Sequence, residues 1–345
     1  MLQGIENSNS ADNQLIRKIS PGRLFRRFFM IKGNKGDVAE GVARRMIKMD
    51  DNNRFSNKPK VLVCQGGGAK GAWEAGVIYA LMKGGITFKT FFGTSVGALN
   101  SALAFTDQPD NLMNIWTDIS RKTIWLFELM NIIRFTSLVT SKPLKILISK
   151  YVSEKGLAQA KKEGKDLYIW VTDIDSNRLR LIEYGRAEED EPFLDYLLAS
   201  ASMPLFFPAV HIKGANYGDG GMRVNGPVYL SDKIGIDEIM IIAPIVENNR
   251  PDYKFNRLIS NLLDEQIRSN LIICKNSIKD YNSKASTNKS QPKIAYLIKP
   301  SEAINCDVFS FSKKKCSKDF QLGKRDGELF LESPDTFNLN SYDFY

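Results

Sequence analysis

Apolar residues in this chain fall in short runs separated by glycine-marked turns. Val61–Cys64 and Thr90–Phe92 are two such runs, and each ends in a turn that opens a helix-like segment. The first turn is Gly66-Gly67-Gly68-Ala69-Lys70-Gly71 and the second is Gly93-Thr94-Ser95-Val96-Gly97. Strand alternating with helix predicts a sheet with helices packed on it. Downstream, Pro109–Ser120 and Thr123–Val139 read as helices. The second is apolar on nearly all sides, which points to core packing, with a lid or lipid-contacting surface as the sharper alternative. Strands are expected at Asp166–Thr172 and Arg178–Tyr184, joined by an Asp173–Asn177 turn whose acids are turn formers rather than cation ligands. A helix follows over Glu188–Ser200. Pro204 and Pro208 then force extended backbone, and Tyr217–Met222 makes a tight turn around Asp219. The rest reads as a buried strand (Glu238–Ala243), a long helix (Phe255–Tyr281), a polar loop (Ser283–Pro292), a strand (Lys293–Ile298) and a helix near Lys318–Leu331.

At 345 residues, 43% hydrophobic and 25% charged, the chain has the balance of a soluble globular protein with a sizeable core. No run approaches the ~18 uncharged apolar residues that span a bilayer. The N-terminal residues lack the pattern of a secretory signal. Cys64, Cys274, Cys306 and Cys316 show no metal or redox spacing, so a reduced, cytoplasmic protein is expected. The net charge of +9 is uneven, because residues 1–60 hold 13 Lys and Arg against 6 Asp and Glu. Leu15–Ile31 mixes five cations with apolar residues and no acid, and Ser20-Pro21 would start a helix there. One reading lays residues 15–31 peripherally on an anionic membrane; the other docks them on their own domain. Nucleic acid is not the expected partner.

Two glycine patterns bear on chemistry. Gly66-x-Gly68-x-x-Gly71 fits a dinucleotide fingerprint, but the region about twenty residues on, Phe88-Lys-Thr-Phe-Phe-Gly93, has no acid to hold a ribose. Ala72-Trp73 stands where a P-loop needs Lys-Ser/Thr. The turn still offers backbone N–H groups at a helix start, suited to an anion such as a transition-state oxyanion. Gly93-x-Ser95-x-Gly97, between strand and helix, has the form of a nucleophile elbow, although a serine there could simply cap the next helix. His211, the only histidine, precedes Asp219 and lies in a strand-like segment, so it reads as structural. A carboxylate remains as the base. Asp219, in Gly218-Asp-Gly220-Gly221, becomes a useful proton acceptor only if desolvation raises its pKa.

Together GGGAKG, GTSVG and the later DGG resemble the patatin-like phospholipase family, as does the Ala199–Pro208 approach to the aspartate. The resemblance covers residues 58–300, leaving 1–57 as a basic arm and linker and 301–345 as a C-terminal extension. It implies an α/β fold, a three-layer α/β/α sandwich. Ser95 is then the nucleophile and Asp219 the proton acceptor. Gly66, Gly67, Gly68, Ala69, Lys70 and Gly71 form the oxyanion loop, with Gly67 and Gly68 the expected donors and Lys70 adding positive charge. Gly93, Thr94, Val96 and Gly97 complete the elbow, and Gly220 and Gly221 the aspartate turn. The implied activity is hydrolysis of fatty-acyl esters of glycerophospholipids through an acyl-enzyme, without cofactor or metal; it names no protein activator. A lysophospholipase, triglyceride lipase or thioesterase with the same dyad is the alternative, as is a catalytically silent lipid-binding protein.

Overall fold

The computed structural model describes residues 60–124, 126–127, 137–185, 192–223, 238–245, 254–288 and 293–342. In chain order the strands are β1 (Lys60–Cys64), β2 (Thr90–Thr94), β3 (Leu126–Phe127), β4 (Val139–Thr140), β5 (Asp166–Asp173), β6 (Arg178–Glu183), β7 (Val210–Ile212), β8 (Ala215–Asp219), β9 (Glu238–Ile242) and β10 (Ile294–Ile298). The helices are α1 (Gly71–Lys83), α2 (Val96–Phe105), α3 (Pro109–Asp118), α4 (Arg121–Ile124), α5 (Lys142–Tyr151), α6 (Glu154–Lys162), α7 (Phe193–Ser200), α8 (Lys254–Asn288) and α9 (Lys313–Glu332). The basic arm with residues 15–31 lies outside the described residues, as does most of the linker before β1.

The fold is a three-layer α/β/α sandwich. Its sheet runs β10-β9-β1-β2-β5-β8-β7, with β6 paired to β5. Strands β10, β9, β1, β2 and β5 are parallel, which requires helical crossovers and buries both sheet faces. Their sequences are accordingly continuous apolar runs, such as KVLVC and EIMII, fully buried. On one face Val61, Val63, Phe92, Ile239 and Ile241 pack against Ile267, Leu271, Cys274 and Ile278 of α8. These α8 positions recur every three to four residues, the spacing of a buried helical stripe. On the other face lie α1 and α2, and α9 packs along α1.

Antiparallel β8 fixes the geometry of the site. Strand β5 outruns β2: Thr94 pairs with Trp170, and the next β5 residue, Val171, pairs with Asp219 of β8. Strand β6 occupies the opposite edge of β5 over the same residues. So β8 takes over the β5 edge where β2 ends, and Asp219 arrives beside the residue following Thr94.

Two sequence expectations are corrected. Thr123–Val139 is not one helix: α4 ends at Ile124, and Leu126–Phe127 pairs antiparallel with Val139–Thr140. A run apolar all round carries no period to separate strand from helix. The polar loop expected from Ser283 is helical to Asn288. Lys284 pairs with Asp280 one turn back, and the Asn282 side chain exchanges hydrogen bonds with the backbone of Lys293.

Candidate active site

Ser95 occupies the sharp turn between β2 and α2, with φ 56° and ψ −131°. A non-glycine residue at positive φ is strained, and the strain lifts the side chain clear of both elements. The turn is tight enough that a Cβ at Gly97 would sit 2.5 Å from the Cys64 carbonyl oxygen, so this close approach of α2 to the end of β1 requires glycine. The Ser95 N–H donates to Ser200 Oγ (3.0 Å), and Ser200 in turn donates to the Trp170 carbonyl (2.8 Å). That hydroxyl ties the elbow to β5. It lies inside the Ala199–Pro208 stretch, yet nothing in the sequence separates it from its neighbour Ser202.

Ser95 Oγ donates to Asp219 Oδ2 at 2.7 Å. The other carboxylate oxygen accepts the Gly221 N–H at 2.7 Å, so the glycines after Asp219 orient it. Asp219 is buried, and desolvation raises its pKa to about 7 despite the two hydrogen bonds. Near neutral pH this carboxyl is therefore able both to take and to return a proton. His211 is exposed, and its ring meets Asn216 Oδ1 at 3.2 Å.

The glycine turn lies across the cavity from Asp219. Gly66, Gly67 and Gly68 line the same cavity as Ser95. Ala69 N–H donates to the Val308 carbonyl (3.0 Å) and Lys70 N–H to the Gly67 carbonyl (3.2 Å). Gly68 has φ 57°, and an added Cβ would lie 2.1 Å from the Val308 oxygen. The backbone around Val308 thus presses directly on this turn. The Lys70 ammonium is buried and bonds Asp264 of α8 at 2.9 Å, in a site where burial raises the pKa of Asp264. Asp264 sits on a long amphipathic helix with many charges, so the sequence gives no sign of its role.

Behind the turn, Asn100 of α2 donates through Nδ2 to Glu74 Oε1 (2.7 Å) and to the Gly71 carbonyl (3.1 Å). It accepts from Trp116 Nε1 at 2.9 Å. Burial pushes the Glu74 carboxyl up to about 8. These bonds lock α1, which follows the glycine turn, to α2, which follows Ser95.

Two cavities meet at Ser95. One, of about 870 Å³ including its mouth, is walled almost wholly by apolar groups, among them Leu99, Leu103, Ile115, Ile119, Leu147 and Phe207. The other, of about 750 Å³, holds the glycine turn and Gln266. Among the described residues no group of three or more His, Cys, Asp or Glu could hold a metal ion, and no helix is long and apolar enough to cross a membrane.

A family model described as "Patatin-like phospholipase" matches residues 62–231, which include Ser95, Asp219 and every residue of the glycine turn. Residues 62–231 form a patatin-like phospholipase domain. The chain is also 26% identical over 191 residues to the uncharacterized protein YjjU of Escherichia coli (strain K12). That match takes in 53% of this chain and 51% of the other, so the chain spans about half the length of this curated relative. Two solved structures resemble the patatin-like chain, each at 13% identity. VipD from Legionella pneumophila aligns with a TM-score of 0.40, covering 81% of this chain and 67% of VipD. The type III effector protein ExoU aligns with a TM-score of 0.34, covering 80% of this chain and 54% of ExoU.

Proposed function

We propose that this protein is a serine acyl hydrolase that cleaves fatty-acyl esters of lipids, glycerophospholipids first among them, with Ser95 as nucleophile and Asp219 as base. The observation that carries this is the 2.7 Å bond from Ser95 Oγ to a desolvated Asp219. Asp219 takes the hydroxyl proton as Oγ attacks the acyl carbonyl carbon. The carbonyl oxygen becomes an oxyanion, met by the N–H groups of Gly67 and Gly68. Ala69 and Lys70 spend their amides elsewhere, which supports Gly67 and Gly68 as donors. Collapse breaks the ester C–O bond, and Asp219 returns its proton to the leaving alcohol. Water then attacks the acyl-Ser95 ester as Asp219 takes its proton; the acyl C–Oγ bond breaks, Asp219 passes that proton to Ser95 Oγ, and the fatty acid leaves with both residues restored.

The apolar cavity supports a fatty-acyl chain as the part of the substrate beside Ser95. Lys70 contributes less to the oxyanion than its position suggests, since its charge is directed to Asp264. Its role is to pin the glycine turn to α8. Peripheral membrane contact by residues 15–31 belongs to the same reading, as does a location in the cytoplasm.

A fluorophosphonate probe is expected to label the wild-type protein and to leave Ser95→Ala unlabelled. Release of fatty acid from phospholipid should fall in parallel. A wild-type protein that neither reacts with the probe nor hydrolyses any lipid, lysolipid or thioester substrate would make the fold a lipid-binding scaffold instead.

A further inference from the structure

The mouth of the cavity beside Ser95 is ringed by large apolar side chains that stand in water. Leu205 is 78% exposed, Leu262 55% and Met222 50%, and all three line that cavity. Leu258, one turn before Leu262 on α8, is 57% exposed. These are not loose chain ends. Leu205 holds φ 72°, a conformation that disfavours a leucine. Its carbonyl accepts the Leu138 N–H (3.1 Å), and the next carbonyl, that of Phe206, accepts the Val139 N–H (3.0 Å). Phe206 stacks on Phe309 with ring centres 4.1 Å apart. The neighbouring ring is thus turned inward while the strained residue is thrown outward. Across the mouth, Gln266 of α8 donates to the Met222 carbonyl at 3.2 Å, which fixes Met222 next to Leu262.

From this arrangement we infer that Leu205, Met222, Leu258 and Leu262 form a docking lip that seats the mouth of the site on the face of a lipid bilayer. The inference rests on the acyl-hydrolase reading, for a reason of geometry. The lip is continuous with the cavity of Ser95, so whatever covers it must leave substrate a route inward. A folded protein partner seated there would stop the cavity, whereas a lipid surface supplies the substrate. Apolar surface this concentrated around one opening marks an interaction site. Because the lip carries no charge, its contribution differs in kind from that of the basic arm. It acts on neutral lipid and survives salt, while attraction by lysines and arginines needs acidic lipid and is screened.

The test uses the full chain carrying Ser95→Ala, so that no lipid is consumed, and vesicles of phosphatidylcholine alone in high salt. Leu205→Gly is the informative variant, because glycine accepts positive φ and should hold or raise the melting temperature while removing the side chain. Combined with Leu262→Ser, it should lower partitioning onto these vesicles by about tenfold or more. Equal partitioning of parent and variant would overturn the lip. So would binding that requires acidic lipid and vanishes in salt, or a dimer in solution that buries these leucines. Probe labelling of wild-type Ser95, read without vesicles, reports separately on the chemistry. Its failure removes the hydrolase and leaves the vesicle result standing, while failure of the lip leaves labelling intact.

Discussion

The walls around Ser95 come from two regions built on different logic. From Lys60 to Phe105, strand, turn and helix follow one another, and consecutive residues build the glycine turn and the Ser95 elbow. From residue 299 to 342 there is no chemical motif and no part of the family match, yet Val308, Phe309 and Phe311 line the apolar cavity. What holds this second wall is a pair of buried aspartates on α9. Asp319 accepts the N–H groups of Asn305 and Cys306 together with Asn305 Nδ2. Asp326 accepts the N–H and hydroxyl of Ser301 and the indole N–H of Trp73 on α1. The loop so held delivers the Val308 carbonyl to Ala69. The turns that carry the reactive groups are built from consecutive residues, whereas part of the wall around them comes from residues more than two hundred positions away.

The comparison breaks most sharply at Asp219. Asp219→Asn keeps a side chain of the same shape beside Ser95 but removes the proposed proton acceptor. Turnover should fall by about 10²–10⁴-fold, the usual share of a general base. Thermal unfolding should be unchanged or improved, since a desolvated carboxyl is lost. A variant with more than a tenth of wild-type turnover would show that another group takes the proton.

Asp319→Ala tests the second wall. It strands buried N–H donors at Asn305 and Cys306, each costing about 1–3 kcal/mol when left unpaired. A drop in melting temperature should come with slower probe labelling of Ser95, because the loop that meets the glycine turn is released. Lower stability with an unchanged labelling rate would mean that α9 supports the fold without shaping the site.

Activity and stability respond to pH in opposite senses. If Asp219 is the base proposed above, it must be ionised to act, so turnover should rise through about pH 7 and then level. Stability should move the other way. Asp219 and Glu74 hold their protons in the folded state up to about 7 and about 8, while in the unfolded chain both ionise near 4. Between these limits the folded state binds more protons at these two sites, so their contribution to stability is greatest at the acid end and falls as pH rises. Glu74→Gln should flatten the upper part of that fall and leave the activity limb near 7 in place. A limb that moved with Glu74 would reassign it.

Much of this site is legible in the sequence, for a physical reason. A glycine turn before a helix, a serine elbow and an Asp-Gly-Gly turn are each made by consecutive residues, so their chemistry is visible in the letters. What brings Asp219 to Ser95 is the extra length of β5 beyond β2, a register that pairing decides and sequence spacing does not. Ser200, Asp264 and Val308 are ordinary residues until the fold carries them to the elbow and the glycine turn. The segment around Leu126 fails for a different reason. Its apolar side chains serve strand and helix equally well, so the pattern there held no choice to read.

The smallest effect is expected at the residue that a familiar serine hydrolase would need most. His211 lies at the sheet edge on β7, exposed, with its ring against Asn216 of β8. Asn216 is itself held by Asp175, through its backbone N–H at 2.8 Å and its side-chain amide. The turn therefore keeps its other bonds when the imidazole is changed. Exposed substitutions away from caps and buried networks usually shift stability by less than about 0.5 kcal/mol. His211→Gln should leave turnover within about twofold of wild type across the pH range, since the proposed dyad routes no proton through it. A loss approaching that of Asp219→Asn would replace the dyad with a triad. It would also require β7 to move, because the ring faces Asn216 and Asp219 is already bonded to Ser95 without it.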